Sequence, residues 1–300
     1  MSAAVEAPPA SDPSSCPACG CHELQPLFET TDRLCRATHE RYQIVECWKC
    51  RLIRLHPRPT AAGLRRYQRP ETWPEGGTPA DALERACRCA ALRDDLNFVL
   101  RALEDAGTPG PVLDLSPGGE PLRRALAAHG LEVLTAAPVE PGNCAAVTMI
   151  RLLEHMESPA ACLEQAYEQL RADGRIIVQS PNAGCWQFLL FGENWSGLDV
   201  PRRLIHFRSR DLESLLESCG FEIVRRKHFS WHNPLRFAAS LAPGLEPAVR
   251  RARGLAESSW SKLMKNLLYA AMVGLAVPFT LFEDACRAGS TIMVEARKKA

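Results

Sequence analysis

The stretch VLDLSPGGE, from Val112 to Glu120, joins an apolar run to an acid and to a turn with two adjacent glycines. The apolar residues around Asp114 predict a buried strand, and the following PLRRALAAHG predicts a helix that ends at Gly130. A strand that enters a helix through a glycine turn is typical of the loop that binds a nucleotide in α/β sheets. The stretch therefore predicts an α/β fold with a ligand site at this loop.

The sequence on both sides of this stretch repeats the alternation of strands and helices. Predicted strands read PVLDL, LEVLTAA, CAAVTMI, RIIVQS, FEIVRRKHF and STIMVEARK. A helix in SPAACLEQAYEQLRADG has Ser158 as its N-cap and Gly174 as its end, and one or two helices span Asp81 to Ala106. This order predicts a mainly parallel, doubly wound sheet.

The composition is that of a folded protein without a general affinity for nucleic acid. With 300 residues and 46% hydrophobic content, the chain can form one large domain or two smaller ones. The net charge of +1 gives no basic bias. The amino-terminal MSAAVEAPPASDPSS lacks the basic and apolar regions of a secretory signal and predicts a flexible tail. Thirteen cysteines without such a signal indicate a reducing cytoplasm.

Two C-x-x-C pairs stand in CPACGCHE and in YQIVECWKCRLIRLHPRP. A two-residue spacer turns both sulfurs toward one metal ion, and the alternation in YQIVE predicts a strand that leads into the second pair, as in a zinc ribbon. The predicted ligands of a structural zinc ion are Cys16, Cys19, Cys47 and Cys50. The alternatives are four unlinked thiols, or a ligand set that draws on Cys21, His22 or Cys35.

Helical patterns over residues 231–286 separate the last two predicted strands. They contain NLLYAAMVGLAVPFTLF, an uncharged run from Asn266 to Phe282. The run is short for a membrane span, so a buried lid helix is the first interpretation. Docking at a membrane interface is the alternative, because Trp260 and Lys262 come just before the run.

Several segments, in order along the chain, resemble class I S-adenosylmethionine-dependent methyltransferases that carry a cysteine-rich, zinc-ribbon-like module at the amino end. After the two C-x-x-C pairs, called knuckles below, these segments are LHPRPT, VLDL, VTMIRLLEHMESP, LRADGRIIVQSPN, FGENWSGLDVPRRLIHF, LLESCGFEIV and GSTIMVEARK. The resemblance implies a Rossmann-like methyltransferase sheet with an antiparallel last strand, S-adenosylmethionine as cofactor and a small-molecule substrate. It divides the chain into a tail (1–15), a zinc-ribbon-like module (16–60), a linker with leading helices (61–108) and a methyltransferase-like domain (109–300) with the helical insertion at about 231–286.

The cofactor loop departs from the pattern of that family, which is an acid followed by G-x-G-x-G. Asp114 and Gly118 keep the acid and the second glycine, whereas Ser116 and Glu120 replace the first and third glycines. The predicted cofactor contacts are Asp114, Ser116, Gly118 and Gly119. A carboxylate at Glu120 would face the carboxylate of the cofactor and weaken its binding.

The contacts to ribose and adenine are also reduced relative to the family. Ala137 stands where the family has the acid that binds the ribose hydroxyls, and Glu140 is the nearest substitute. Only a handful of residues separate LTAAP from CAAVTMI, where the family has a helix and a further strand. The resemblance therefore implies a sheet without one strand and cofactor binding roughly in the millimolar range.

Glu154 and His155 follow CAAVTMI at the carboxyl end of a strand, where open α/β sheets bind ligands. By resemblance to the ubiquinone O-methyltransferases, this pair lies beside the substrate, although Arg151 replaces the carboxylate that would complete a metal site. His155 is a candidate general base, with Glu154 as its catalytic neighbour. The alternative is that the pair only braces the next helix.

The segment NWSGLDVPRRLIHF corresponds to the substrate-side loop of the family. Its predicted substrate contacts are Trp195, Arg202, Arg203 and His206. The two arginines form either a clamp for phosphate or carboxylate, or solvated side chains that pack over the tryptophan. Two functions remain open: methyl transfer to a small molecule, and a non-catalytic scaffold that binds a protein partner or another ligand.

Overall fold

The computed structural model describes residues 15–59, 63–64, 67, 79–107, 110–135, 141–255 and 258–299. The strands are β1 (Leu24–Thr30), β2 (Tyr42–Cys47), β3 (Ile53–His56), β4 (Val112–Asp114), β5 (Val133–Leu134), β6 (Cys144–Ile150), β7 (Leu170–Pro181), β8 (Ile205–His206), β9 (Phe221–Lys227) and β10 (Thr291–Lys298). The helices are α1 (Pro79–Ala106), α2 (Glu120–Ala128), α3 (Pro159–Gln169), α4 (Trp186–Phe191), α5 (Ser209–Ser218), α6 (His232–Leu241), α7 (Pro247–Ala252) and α8 (Ser259–Ala285).

Six strands form the main sheet in the order β5-β4-β6-β7-β10-β9. The first four run parallel, and β10 is antiparallel to both β7 and β9. This confirms the predicted Rossmann-like α/β sheet with an antiparallel last strand. Of the strand predicted at LEVLTAA, the described part contains only the two residues of β5, which is the edge of the sheet there. The next residues, 136–140, lie outside the described ranges.

Helices cover both faces of the main sheet, and every residue of β6 is buried. Helix α1, a single helix where one or two were predicted, packs on one face through Leu96, Val99 and Ala102. Helices α3 and α5 pack on the opposite face through Leu163 and Leu212. A continuous apolar run such as CAAVTMI is what a strand needs when both of its faces are covered.

The helix predicted from Ser158 to Gly174 is shorter than expected. Ser158 caps α3 as predicted, but the helix ends at Gln169. The chain enters β7 at Leu170 and bulges out before it resumes its pairing with β6 at Arg175. Gly174 belongs to this bulge, where an added Cβ would crowd the side chain of Leu170. The glycine therefore permits a close approach between strands and does not end the helix.

The amino-terminal strands form a second sheet, in the order β1-β2-β3-β8. Its fourth strand, β8, lies far along the chain, and Ile53 of β3 pairs with His206. Arg208 also forms an ion pair with Glu46 of β2. The predicted module at residues 16–60 is therefore continued by a strand from the larger domain, which fixes the position of the segment that precedes β8.

Helices α6, α7 and α8 form the insertion predicted at 231–286, between β9 and β10. Helix α8 packs against α6 and α1 on one side. Its other side is exposed, with Leu275 at 81%, so the expected buried lid helix is corrected to a half-buried one. In the described part of the chain, α8 is the helix long and apolar enough to cross a membrane.

Candidate functional site

The predicted zinc ligands converge on one point. The cluster consists of the Sγ atoms of Cys16, Cys19, Cys47 and Cys50. All four atoms lie within 4.8 Å of one another, and the two closest pairs are 3.5 Å apart. Tetrahedral zinc with bonds of about 2.3 Å separates its sulfurs by about 3.8 Å. The cluster therefore has the size that a zinc ion requires.

Each C-x-x-C turn also directs backbone N–H groups toward a sulfur. The amides of Lys49 and Cys50 donate to Cys47, and the equivalent amides of the first turn donate to Cys16. Burial raises the pKa of Cys47, but hydrogen bonds from the Cys50 amide, the Cys19 thiol and the Lys49 amide lower it to about 6. Such donors stabilise the thiolate, which is the form that binds zinc. At Cys16 burial outweighs them and raises the pKa of the thiol. The donor set fits a zinc ion in its chemistry as well as in its size.

The alternative ligands Cys21, His22 and Cys35 lie outside this metal-capable cluster in the described ranges. The thiol of Cys21 donates to the carbonyl of Glu23 at 3.8 Å. Cys35 is buried, and its amide donates to Oδ1 of Asp32 at 2.9 Å. The geometry therefore favours the four knuckle cysteines as the ligand set.

Asp114 ends β4 and is enclosed by the protein. Its Oδ1 accepts hydrogen bonds from Oγ1 of Thr148 at 2.7 Å and from the amide of Ser116 at 3.2 Å. Its Oδ2 accepts from Nη1 of Arg123 at 3.0 Å, in an ion pair between β4 and α2. Protein donors therefore occupy both oxygens of the carboxylate expected to serve the cofactor.

The turn after Asp114 closes over this ion pair. Gly118 has a φ of 64°, a conformation that favours glycine. A Cβ on Gly119 would overlap Oδ2 of Asp114 and would lie 3.0 Å from Nη1 of Arg123. The hydroxyl of Ser116 accepts a hydrogen bond from the last amide of β6 at 2.9 Å. The loop thus packs on the protein's own charged pair.

Glu120 places a carboxylate at the amino end of α2. Its oxygens accept from Arg124 at 2.7 Å and from Arg123 at 3.4 Å, and the hydrogen bond from Arg124 contributes most to its lowered pKa. A helix amino terminus attracts anions, and here that position already carries the protein's own anion. Ala137 and Glu140, which were matched to the ribose contact, lie outside the described residues.

Glu154 lies in the 3-10 turn after β6 and is 1% exposed. Among the described residues, neither oxygen of its carboxylate has a hydrogen-bond partner. Nε of Arg203 lies 3.7 Å from Oε1, close enough for an ion pair. A buried carboxylate without hydrogen bonds destabilises a fold, and such groups are typical of functional sites.

His155 is half-buried, and its Nδ1 lies 2.7 Å from the carbonyl oxygen of Arg202. Because a carbonyl only accepts, Nδ1 carries a hydrogen, and in the neutral ring Nε2 has the lone pair that a general base needs. The carbonyl of Glu154 accepts from the amide of Leu204 at 2.8 Å. The pair therefore braces the segment before β8, whereas the sequence suggested the next helix.

Arg202 connects the two sheets of the protein. Its guanidinium donates to both oxygens of Asp32, at 2.6 and 3.1 Å, and its Nε donates to Asp199 at 2.8 Å. Burial lowers the pKa of Arg202, but the carboxylates of Asp199 and Asp32 raise it well above its usual range. Arg202 is thus a buried ion-pair partner, which differs from both the clamp and the solvated side chain predicted for it.

Residues 83–226 match the family model described as a methyltransferase domain. This segment belongs to the methyltransferase family. The matched residues run from α1 into β9 and include Asp114, Glu154 and Arg203. The parallel-rich sheet with its antiparallel last strand is the S-adenosylmethionine-dependent methyltransferase fold that the motifs predicted.

Solved structures similar to this chain are distant from it in sequence. A SAM-dependent methyltransferase from Thermotoga maritima is 13% identical, covers 73% of this chain and 96% of its own, and has a TM-score of 0.40. Another, from Archaeoglobus fulgidus, is 14% identical, covers 69% of this chain and 94% of its own, and has a TM-score of 0.42. No curated protein matches the sequence.

Two arginines, Arg203 and Arg236, interact with the buried Glu154, and a third, Arg151, interacts with Arg236. Arg203 is within ion-pair distance, and Arg236 interacts electrostatically with Arg203, Glu154 and Arg151. Burial, followed by repulsion from Arg203 and Arg151, lowers the pKa of Arg236 to about 9. Glu154 therefore has the cations of Arg203 and Arg236 as electrostatic neighbours.

Arg151 follows β6 directly and has a φ of 56°. This left-handed conformation is uncommon outside glycine, asparagine and aspartate, and it costs on the order of 1 kcal/mol or more. Its amide donates to the carbonyl of Gln179 in β7 at 2.8 Å, which holds the strained backbone in place. Strained residues cluster at ligand sites, in agreement with the position of Arg151 at the carboxyl edge of the sheet.

His206 and Trp195 were predicted to line the substrate side, and both are buried within the protein. Burial, and then the charge of Arg203, lower the pKa of His206 to about 3, so its ring is neutral at pH 7. The ring of Trp195 packs edge-to-face on Phe188, with the ring centroids 5.3 Å apart. Both side chains therefore belong to the protein interior, beneath the loop that was predicted to contact a substrate.

Two arginines of these sites have little or no signal in the sequence. Arg123 lies one turn after Gly119, on the side of α2 that faces β4. The only feature of the sequence that indicates its ion pair is an acid followed by an arginine in the next helix. Arg236 lies in the helical insertion and joins Glu154 only in the folded chain. No local pattern identifies Arg236.

Proposed function

We propose that this chain is a member of the methyltransferase family that binds a small molecule and has weak affinity, in the millimolar range, for S-adenosylmethionine. The proposal rests on the ion pair between Asp114 and Arg123. The ammonium group of S-adenosylmethionine would have to displace the guanidinium of Arg123 from Asp114, because that guanidinium already donates to Oδ2 at 3.0 Å. Losing a hydrogen bond between charged groups costs about 1.5 to 3 kcal/mol, or roughly a tenfold to hundredfold loss of affinity.

Two further features lower the affinity in the same direction. The carboxylate of Glu120 lies in the first turn of α2 and would repel the cofactor's carboxylate at this helix amino terminus. Gly119 contacts Asp114 and Arg123 so closely that the loop has no spare room at this position. The residues of the loop therefore fit the cofactor poorly, and we assign no reaction step to it.

We infer that the small molecule is anionic, because Arg151, Arg203 and Arg236 outnumber Glu154. A phosphate or carboxylate would balance this charge and would accept hydrogen bonds from the guanidinium groups. Arg203 is the central contact in this proposal, since its Nη1 donates to the carbonyl of Gly197 at 2.7 Å and its Nε faces Glu154. Of the two arginines of the clamp suggested by the sequence, only Arg203 is thus part of this proposal.

Arg203→Gln is expected to weaken binding of inorganic phosphate about tenfold to hundredfold, because it removes one charge-assisted contact. Calorimetric titration of the full chain with inorganic phosphate measures the change. The matched control is Arg225→Gln, since Arg225 also faces a buried carboxylate, Glu295, at 2.8 Å, but on another part of the sheet. Equal phosphate affinities for wild type and Arg203→Gln would contradict an anion site at Arg203.

Methyl transfer at low cofactor affinity is the second candidate function, and the geometry of His155 favours it. The carbonyl of Arg202 fixes the tautomer in which Nε2 can accept a proton from the group to be methylated. The non-catalytic alternative keeps the same anion site, and the thiol ligands of the knuckles suit a reducing cytoplasm in either case.

A further inference from the structure

Asp32 lies in the loop between β1 and β2, and its side chain is fully buried. Each of its oxygens accepts from two donors. Oδ1 accepts from the amide of Cys35 at 2.9 Å and from Nη2 of Arg202 at 2.6 Å. Oδ2 accepts from the amide of Ala37 at 2.9 Å and from Nη1 of Arg202 at 3.1 Å. One carboxylate therefore fixes its own loop and also the guanidinium of a residue 170 positions further along the chain.

The helical insertion contacts the same loop. Arg253, directly after α7, donates from Nε to the carbonyl of Leu34 and from Nη2 to the carbonyl of Arg33, each at 2.8 Å. A loop that is bound through its backbone and through a buried side chain opens less readily than one that is free in solvent. Asp32 therefore gives Arg202 a fixed point of attachment.

The backbone of residues 202–204 is hydrogen-bonded on both sides. Toward the amino-terminal sheet, the carbonyl of Leu204 accepts from the amide of Leu55 in β3 at 2.9 Å. Toward the 3-10 turn after β6, the amide of Leu204 donates to the carbonyl of Glu154 at 2.8 Å. The carbonyl of Arg202 accepts from Nδ1 of His155 at 2.7 Å. This segment thus joins the amino-terminal sheet to the two residues that were predicted to act beside the substrate.

The contacts of Arg202 determine the positions of the groups around it. Pairing through two nitrogens fixes the plane of its guanidinium, which a single hydrogen bond would not do. The carbonyl of Arg202 then stays where it selects the Nδ1–H tautomer of His155. Arg203 is the next residue, so its guanidinium, 3.7 Å from Glu154, depends on the same backbone. Groups in a ligand site need support of this kind, because a displacement of about 1 Å removes much of their effect.

Stability alone does not require a buried ion pair at this place. Apolar side chains of similar volume often stabilise a fold as well as a buried ion pair does, because they avoid the cost of desolvating two charges. An ion pair differs from apolar packing in that it fixes direction. The direction that Asp32 fixes is that of a residue whose carbonyl bonds His155.

We propose that Asp32 of the amino-terminal sheet is a positioning residue for the site at Glu154 and His155. It acts through Arg202, which keeps His155 in the tautomer whose Nε2 can accept a proton and keeps Arg203 beside Glu154. The part that concerns Arg203 rests on the proposed anion site, whereas the part that concerns His155 does not. The zinc-ribbon-like module thereby contributes to the site as well as to the fold.

Asp32→Asn tests the proposal, because asparagine has nearly the same shape but no charge and only one acceptor oxygen. Long-range proton–nitrogen NMR of the full chain measures the tautomer of the neutral histidine rings, and the spectrum of His155→Gln identifies the signals of His155. Wild type is expected to show the Nδ1–H tautomer, and Asp32→Asn to show both tautomers. Calorimetric titration with inorganic phosphate should give about tenfold weaker binding for Asp32→Asn, the effect of one displaced hydrogen bond to a charged group.

Glu46→Gln is the matched control. Glu46 is also a buried carboxylate of the small sheet, and its ion pairs are with Arg51 and with Arg208, which follows β8. Within the described part of the chain, these ion pairs include neither Arg202 nor His155. This variant should keep the wild-type tautomer of His155 and the wild-type affinity for phosphate.

Arg202→Lys carries the test if circular dichroism shows that Asp32→Asn does not fold. Lysine keeps the charge but not the two-point contact, so this variant is also expected to show both tautomers. A folded variant of either kind with the wild-type tautomer would overturn the proposal, as would wild type in the Nε2–H form. An equal change in Glu46→Gln would also overturn it, because the ion pair of Asp32 would then act only through stability. If wild type binds no phosphate, the proposed anion site fails, and the tautomer of His155 alone decides the role of Asp32.

Discussion

Cys47→Ser is expected to abolish stoichiometric zinc binding and to unfold the sheet of β1, β2, β3 and β8. Structural zinc in small thiolate modules contributes about 10 to 16 kcal/mol of binding free energy at neutral pH, as much as the whole stability of a typical domain. The effect should extend into the methyltransferase domain, because Ile53 pairs with His206. Zinc content measured by mass spectrometry, together with the thermal unfolding midpoint, gives both results.

Cys21→Ser is the matched control for the zinc prediction. Cys21 lies close to the first knuckle in sequence, but its thiol bonds the carbonyl of Glu23 and is not part of the four-sulfur cluster. This variant should keep one zinc ion and the unfolding midpoint of wild type. A Cys47→Ser protein that retains one zinc ion and the wild-type midpoint would show that the cluster is not a structural zinc site.

Arg202→Ala is expected to lower the free energy of unfolding by about 3 to 5 kcal/mol. The substitution leaves Asp32 buried without its bidentate partner, and the loss of one member of a buried ion pair has a cost of this size. Because Asp32 follows β1 and Arg202 precedes β8, the loss should loosen the contact between the two sheets. Urea unfolding of the zinc-loaded chain measures the change in free energy.

Arg41→Ala is a suitable control because Arg41 pairs with Glu29 of β1 in the same small sheet. Both of those side chains are exposed, so the loss should stay below about 1 kcal/mol. Asp32→Asn in the Arg202→Ala background should recover part of the stability, since it removes the buried charge. A loss below about 1 kcal/mol for Arg202→Ala would contradict the role of this ion pair.

The main sheet and the metal ligands were predictable because their signals are local. The run CAAVTMI requires burial on both faces, and paired C-x-x-C turns direct four sulfurs to one point. The structural role of Gly174 was not predictable, since a glycine after a helical pattern can either end the helix or lie in a β-bulge. Only the pairing of β6 with β7 distinguishes the two.

The contacts that could not be predicted join residues that are distant in sequence. Arg202 was predicted to face a substrate, but its partner Asp32 stands at the other end of the chain, and no local pattern relates the two. The antiparallel pairing of β3 with β8 was not predicted either, because these two strands are also far apart along the chain. The orientation of α8 was also not predictable, because an uncharged run does not show which of its sides the rest of the protein covers.

The central claim is that Asp114, paired with Arg123 beneath the turn at Gly119, leaves S-adenosylmethionine a poor site. Calorimetric titration of the zinc-loaded full chain with S-adenosylmethionine and with S-adenosylhomocysteine tests this claim most directly. We expect dissociation constants roughly in the millimolar range for both ligands, and protein that carries neither after purification. A micromolar dissociation constant, or purified protein that already contains S-adenosylhomocysteine, would contradict the claim.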